Sequence, residues 1–197
     1  KNFLQKTIEY LETNTVKNGE YGVITYTDRI IEKIEGETIK KVSQDSFNSN
    51  LNVLSLFDML IKNRFPPISF LFRRCVFDEI GYYDESLPVL GDWDFNIRFM
   101  LHYNIGIIPE VLAYYHHRCH CFDSYSLNSV TGGNDLHIYY DNYLRNKYLR
   151  QDIQNNTFGI GTIMNLGLYL DNNNVVNSIS PIFNLNPKKI LKKIFPR

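Results

Sequence analysis

Apolar side chains at Phe3, Leu4, Ile8 and Leu11 fall on one face of a 3.6-residue repeat, which predicts a short helix over residues 3–13. Asn14 to Gly19 reads as a polar break. Tyr21 to Tyr26 is a β-branched and aromatic run that predicts a buried strand, with Thr27-Asp28 ending it. Residues 29–50 carry mixed charge and then Ser and Asn, a pattern that predicts a strand or hairpin followed by a loop. A second amphipathic helix is expected from Leu51 to Ile61. Pro66-Pro67 breaks the chain before a second apolar run, Ile68 to Phe72, expected to be a strand. A helix follows from about Cys75 to Ile80, where Gly81 provides a C-terminal cap.

Gly81 to Leu87 reads as a loop, and Gly91-Asp92 opens a helix that continues through Trp93 to Tyr103. Ile107 begins a strand that runs through Tyr115. Leu136, Tyr140, Leu144 and Tyr148 stand four apart and predict a helix over residues 136–150. Residues 171–186 are Asn-rich and aperiodic, as in a linker or loose tail. No internal repeat stands out.

Composition narrows the class. A chain of 197 residues with 44% hydrophobic and 21% charged residues can bury a sizeable core. The formal net charge is zero, so no global field draws the chain to nucleic acid. Its three cysteines, Cys75, Cys119 and Cys121, form no spread-out disulfide framework and point to a reducing compartment. No apolar run approaches the roughly 20 residues that span a bilayer. Lys1-Asn2-Phe3-Leu4 reads as the interior of something longer rather than as a leader peptide.

One stretch carries most of the specific information. Residues 63–99, NRFPPISFLFRRCVFDEIGYYDESLPVLGDWDFNIRF, contain an apolar strand ending in Phe-Arg-Arg, then a short helix. Gly-x-aromatic-Asp-Glu and an Asp-Trp-Asp helix start follow. In order and spacing this resembles the second half of a family-two glycosyltransferase of the GT-A fold, and the later strand with Tyr-His-His-Arg keeps the same order. The resemblance covers roughly residues 1–118. In that family a helix and strand like those at the start of this chain come directly after the Asp-x-Asp metal motif. The nucleotide-binding half is therefore expected to lie outside this sequence.

The resemblance implies an α/β fold: the C-terminal part of a GT-A domain, a mixed sheet flanked by helices, with a helical C-terminal extension. The expected division is residues 1–125 for the half-domain, 126–170 for the helical extension, and 171–197 for a linker and basic tail. The activity implied is inverting transfer of a sugar from a nucleotide-sugar donor to a saccharide or lipid-linked acceptor. Such a transfer needs a carboxylate to take the acceptor hydroxyl's proton, and positive charge to stabilise the departing nucleoside diphosphate. Asp92 matches the family's base. By residue type alone, a helix cap is the favoured reading of this Asp. The acid that usually precedes this base is replaced by Gly91. Mn²⁺ or Mg²⁺ is the cofactor expected for the full-length enzyme, and the fragment by itself is expected to be inactive.

Other candidates surround that base. Trp93 either stacks on the acceptor sugar or packs in the core. Asp94 suits the helix dipole, and Arg98, four residues on, suits an ion pair with it on the helix surface. Pro66-Pro67 and Tyr82-Tyr83 are implied to lie around the acceptor, and Arg73 or Arg74 to meet a phosphate or carboxylate; surface salt bridging is the alternative for the arginines. Asp28 reads mainly as a turn residue. In His116-His117-Arg118-Cys119-His120-Cys121, the family resemblance implies that His117 or His116 holds the metal and diphosphate. A zinc site and a purely structural strand end are the other readings.

At the C-terminus, Lys188, Lys189, Lys192 and Lys193 interleave with Ile190, Leu191, Ile194 and Phe195 in helical phase. Such a segment can lie on an anionic membrane surface or pack as a plain tail. The cysteine usage makes the cytoplasm the expected location, with the inner face of the membrane as the surface such a tail would meet if it does not pack as a plain tail. A competing class is a non-catalytic carbohydrate-binding or oligomerisation module, in which unpaired sheet edges and apolar surface drive association with further copies.

Overall fold

The computed structural model describes residues 2–35, 38–119 and 134–172. The chain separates into two compact units, Lys1–Asn146 and Lys147–Arg197.

The first unit is an α/β layer structure built on one long strand. Helix α1 (Asn2–Asn18) leads into β1 (Glu20–Glu35), which pairs with every other strand. On one edge of β1, the short strand β3 (Phe70–Phe72) pairs antiparallel from Gly22↔Phe72 to Ile24↔Phe70. Further along that edge, β2 (Thr38–Ser46) pairs antiparallel from Asp28↔Ser46 to Glu35↔Thr38. The other edge carries β4 (Asn104–Cys119), parallel to β1 from Glu20↔Asn104 to Lys33↔Cys119, with the register shifting around Tyr26. The result is a mixed four-stranded sheet with helices on it.

The periodic segments formed largely where the pattern placed them, and the boundaries moved for identifiable reasons. Helix α1 does not break at Asn14. Thr13, Asn14 and Thr15 return side-chain hydrogen bonds to the carbonyls of Glu9, Tyr10 and Leu11, so their polarity is absorbed within the helix. The helix ends instead at Gly19, whose φ of +65° suits the left-handed cap. Strand β1 passes through Thr27-Asp28, because paired strands on both sides carry it past the polar residues. Asp28 is a mid-strand residue, opposite Ser46 and Tyr114, and accepts a hydrogen bond from Gln44, which corrects its reading as a turn. Helix α2 is limited to Leu56–Ile61. Ser55 caps it by accepting from the Asp58 N–H at 3.0 Å, and this fixes the start five residues later than expected. A 3-10 turn, Pro67–Ser69, takes up the first part of the second predicted strand.

Two cores sandwich the sheet. Leu11 of α1 meets Val23 and Ile108, with Tyr10, Leu71 and Leu112 around them. On the opposite side, Phe70 and Phe72 of β3 pack against Phe95 and Phe99 of helix α4 (Gly91–Met100) with ring centroids 5.2–5.9 Å apart. Gly22 is required there: a Cβ would stand 2.6 Å from the Phe70 ring and 2.8 Å from that of Phe99. Helix α3 (Val76–Ile80) stops at Gly81, φ +74°, as the sequence indicates. Helix α5 (Asn134–Gln154) extends the predicted 136–150 segment at both ends.

In the second unit, helix α6 (Ile160–Asn172) is set by Asp152. Its buried Oδ2 accepts from the N–H groups of Gly159 and Thr162 at 3.2 and 2.7 Å and from the Thr162 hydroxyl at 2.9 Å. Those are donors at a helix start, which a carboxylate satisfies well. Gly161 allows close approach, because a Cβ there would lie 2.2 Å from the backbone of Tyr148 and Leu149. Among the described residues no helix is long and apolar enough to cross a membrane. The Asn-rich segment beyond residue 172 and the Lys-rich tail lie outside the described residues.

Candidate functional site

Asp92 is the second residue of α4, and it does not cap that helix. The cap position belongs to Leu90, which holds a left-handed conformation (φ +62°, ψ +12°) and has no side-chain cap bond. A branched residue in that region costs on the order of 1 kcal/mol and marks a locally imposed backbone. The Leu90 carbonyl accepts from Asp94 N–H, closing the first turn and leaving the Asp92 carboxylate for other partners.

Those partners come from several elements. Asn63, just past α2, donates from Nδ2 to Asp92 Oδ2 at 2.8 Å, and Asn96 Nδ2 donates in turn to Asn63 Oδ1 at 3.2 Å. Burial pushes the Asp92 carboxyl above the ordinary aspartate value of 3.8. The N–H groups of the helix start, Asn63 and the nearby His137 pull it the other way. Two tyrosines feel the same charge: the hydroxyls of Tyr83 and Tyr115 are raised by burial and then by Asp92. Tyr83 is held flat on Phe95, centroids 4.3 Å apart. The loop that carries it is fastened by Arg98, which donates to the carbonyls of Ile80 and Tyr82.

Trp93 points away from the carboxylate. Its ring is buried, its Nε1 donates to the Met59 carbonyl at 2.7 Å, and the Arg145 guanidinium lies 5.0 Å from the ring centroid. No ring face is left for a sugar, so the acceptor-stacking role is corrected to core packing. Asp94 is likewise buried rather than on a helix surface, although its expected bond from Arg98 Nε is present at 2.8 Å. Arg74 and Pro67 are exposed, and no hydrogen bond or ion pair joins either side chain to Asp92 among the described residues. Tyr82 is exposed and stacks on Phe77 at 4.6 Å. Arg73 turns inward, donating to Thr15 Oγ1 at 3.3 Å.

Successive residues of a strand face opposite ways, and this separates the two histidines. His116 Nδ1 meets Glu32 Oε1 at 2.7 Å, and Arg118 reaches the other Glu32 oxygen at 3.3 Å. Burial opposes ionisation of Glu32, but those two partners hold its carboxyl below the ordinary range. His117 is buried with its ring 4.4 Å from that of Tyr115, and its Nε2 has no hydrogen-bond partner among the described residues. Burial, and then the Arg29 charge, lower its pKa from the ordinary 6.5, with Asp45 acting in the opposite sense. A neutral imidazole with a free nitrogen is the form that ligates a metal. Yet among the described residues no three His, Cys, Asp or Glu side chains come together to hold one. The described residues do not form a complete metal centre, and the zinc reading of 116–121 falls largely outside them.

The structure therefore gathers Asp92, Tyr83, Tyr115 and two residues to which the sequence assigns no role, Asn63 and His137. Asn63 lies at the edge of the informative stretch but carries no chemical signature of its own. His137 belongs to a helix separated from Asp92 by more than forty residues, and only the fold brings them together.

No protein-family model matches the chain, and no solved structure matches it. A 52-residue stretch is 35% identical to the uncharacterized glycosyltransferase YwdF of Bacillus subtilis (strain 168). That stretch is 26% of this chain and 19% of that protein, so the similarity spans about a fifth of the relative's length. What the chain shares with a glycosyltransferase is thus one segment, set in an α/β structure with a mixed sheet.

Proposed function

We propose that this chain is the acceptor-side part of an inverting, nucleotide-sugar-dependent glycosyltransferase of the GT-A kind, with Asp92 as general base. The observation that carries the reading is the Asp92 carboxylate: half-buried, raised above its ordinary pKa, and positioned by Asn63 on a rigid helix start. In the reaction, the acceptor hydroxyl oxygen forms a bond to the anomeric carbon of the donor sugar. Its proton passes to Asp92, and the bond from that carbon to the diphosphate breaks, the nucleoside diphosphate leaving with the electron pair. The Tyr83 and Tyr115 hydroxyls are near enough to feel the carboxylate's charge and are further acceptor-side candidates. Exposed Tyr82, Arg74 and Pro67 are the remaining acceptor-side candidates.

The diphosphate side is less complete in this chain. His117 offers a free buried nitrogen toward a metal-bound diphosphate, and His116, engaged with Glu32, is the weaker candidate of the two. In the full-length enzyme Mn²⁺ or Mg²⁺ would supply positive charge to the departing diphosphate. A saccharide or a lipid-linked sugar is the acceptor class, and the reading includes a cytoplasmic location with the Lys-rich tail available to an anionic membrane surface. The second reading, an oligomerisation module, is favoured by β2, an exposed edge strand that carries Ile39 and Val42 outward.

The test is glycosyl transfer by the full-length gene product and its Asp92→Asn variant, using a nucleotide-sugar panel with Mn²⁺. Loss of transfer with donor binding retained supports the base; equal activity in the two proteins overturns it. Absence of transfer with every donor, together with concentration-dependent self-association, favours the module.

A further inference from the structure

We infer that His137 is an acceptor-contacting residue of the Asp92 site, its Nε2 meeting a hydroxyl of the sugar whose neighbouring hydroxyl Asp92 deprotonates. The inference deepens the glycosyltransferase reading and rests on it. Three observations lead to it.

The first is the docking of α5. His137, Asp141 and Arg145 follow one another at four-residue spacing and so share a stripe of that helix. Arg145 is almost fully buried. It takes a bidentate grip on Asp141 at 2.8 and 3.1 Å, donates to the Ile61 carbonyl at 2.8 Å, and lies over the Trp93 ring. This anchor joins the stripe to the end of α2 and the start of α4, the two places that supply Asn63 and Asp92. Two turns earlier on the same stripe stands His137, so the docked helix carries it along the same two segments.

The second is the imidazole itself. His137 Nε2 is buried and has no hydrogen-bond partner among the described residues. Leaving such a nitrogen unsatisfied is costly, and proteins rarely do so without a ligand or functional reason. The third is chemical fit. A sugar presents vicinal hydroxyls about one hydrogen bond apart, each able to donate and accept. A carboxylate and an imidazole that face one acceptor sugar can engage two such hydroxyls at once, which fixes which of them approaches the anomeric carbon.

Transfer to a sugar and transfer to water separate this role from a structural one. The experiment compares the full-length wild type with His137→Ala and His137→Gln, using p-nitrophenyl monoglycosides as acceptors and a nucleotide-sugar panel as donors. Donor hydrolysis in the absence of acceptor is measured alongside. The expected result is an acceptor KM raised tenfold or more in His137→Ala. The ratio of transfer to hydrolysis should fall with donor KM within twofold, and His137→Gln, which restores a polar group, should recover part of the loss. Equal decline of hydrolysis and transfer, with a lowered Tm, makes His137 a structural residue and overturns the inference. So does an unchanged acceptor KM. If the wild type transfers to no acceptor and hydrolyses no donor, the glycosyltransferase reading fails, and the inference with it. If Asp92→Asn is inactive while His137→Ala is unaffected, the reading stands and the inference alone is lost.

Discussion

Asn63 Nδ2 donates to Asp92 Oδ2 at 2.8 Å, linking the end of α2 to the first turn of α4 through one side-chain bond. The bond favours the ionised carboxylate, whereas burial disfavours it. Asn63→Ala removes the favourable contribution and must raise the Asp92 pKa further. A hydrogen bond to a charged group is worth about 1.5–3 kcal/mol, or roughly one to two pH units. In a pH–rate profile of transfer, the rising acid limb of the variant should move to higher pH by about one unit. An unmoved limb would show that Asp92 is not the titrating base.

Asp92 also carries a stability signature. Its folded pKa lies above the usual 3.8, so the folded chain holds this proton more tightly than the unfolded one. The stabilisation from the protonated form is fully present below pH 3.8 and is lost as pH rises through the raised value. Asp92→Asn is neutral at every pH and escapes that loss. At pH 7.5 the variant's Tm should equal or exceed that of the wild type, and the gap should narrow toward pH 4. A variant less stable at pH 7.5 would contradict burial as the dominant influence.

Gly22 is a packing requirement of the β3–α4 core. With the Phe70 and Phe99 rings within 2.8 Å of any added Cβ, Gly22→Ala must displace two interlocked aromatics. Overpacking of this kind costs about 1–3 kcal/mol. A urea titration should show a lower midpoint with an unchanged slope.

Asp94 and Arg98 form a half-buried pair that also fastens the Tyr82–Tyr83 loop. Asp94→Ala leaves Arg98 without its carboxylate, at a cost of about 2–3 kcal/mol, toward the lower end for buried pairs because Arg98 retains some solvent. The same variant should loosen the loop. Hydrogen exchange at residues 81–86 should accelerate beyond the change expected from the global stability loss.

Much of this architecture was legible in the chain, for physical reasons that differ by element. The run Tyr21–Tyr26 and the cap at Gly81 declare themselves locally, since β-branched residues and a left-handed glycine have few other uses. The length of β1 did not: Asp28 and Arg29 are polar, and only pairing with β2 and β4 makes them strand residues. The resemblance singles out Asp92 as a candidate, but nothing in the sequence singles out Asn63 or His137, which act on it in the fold. Neither has a periodicity or spacing that refers to Asp92, and each reaches it through a tertiary contact. Trp93, adjacent to Asp92 in sequence, lies on a different face because a helix turns by about 100° per residue.

His117 provides a test of the buried β4 face that needs no substrate. Its folded pKa is depressed, first by burial and then by Arg29, against a smaller opposing pull from Asp45. The unfolded chain therefore takes up a proton near pH 6.5 that the folded chain resists. The stability contributed by the neutral imidazole is fully present above pH 6.5 and is lost as pH falls through the depressed folded value. His117→Gln cannot take up that proton. Between pH 7.5 and pH 5, wild-type stability measured by urea unfolding should therefore decline more steeply than that of the variant. The two curves should run parallel above pH 7. Identical slopes across the whole range would mean that His117 is hydrated and titrates freely, and would remove the free nitrogen on which its candidacy toward a diphosphate-bound metal depends.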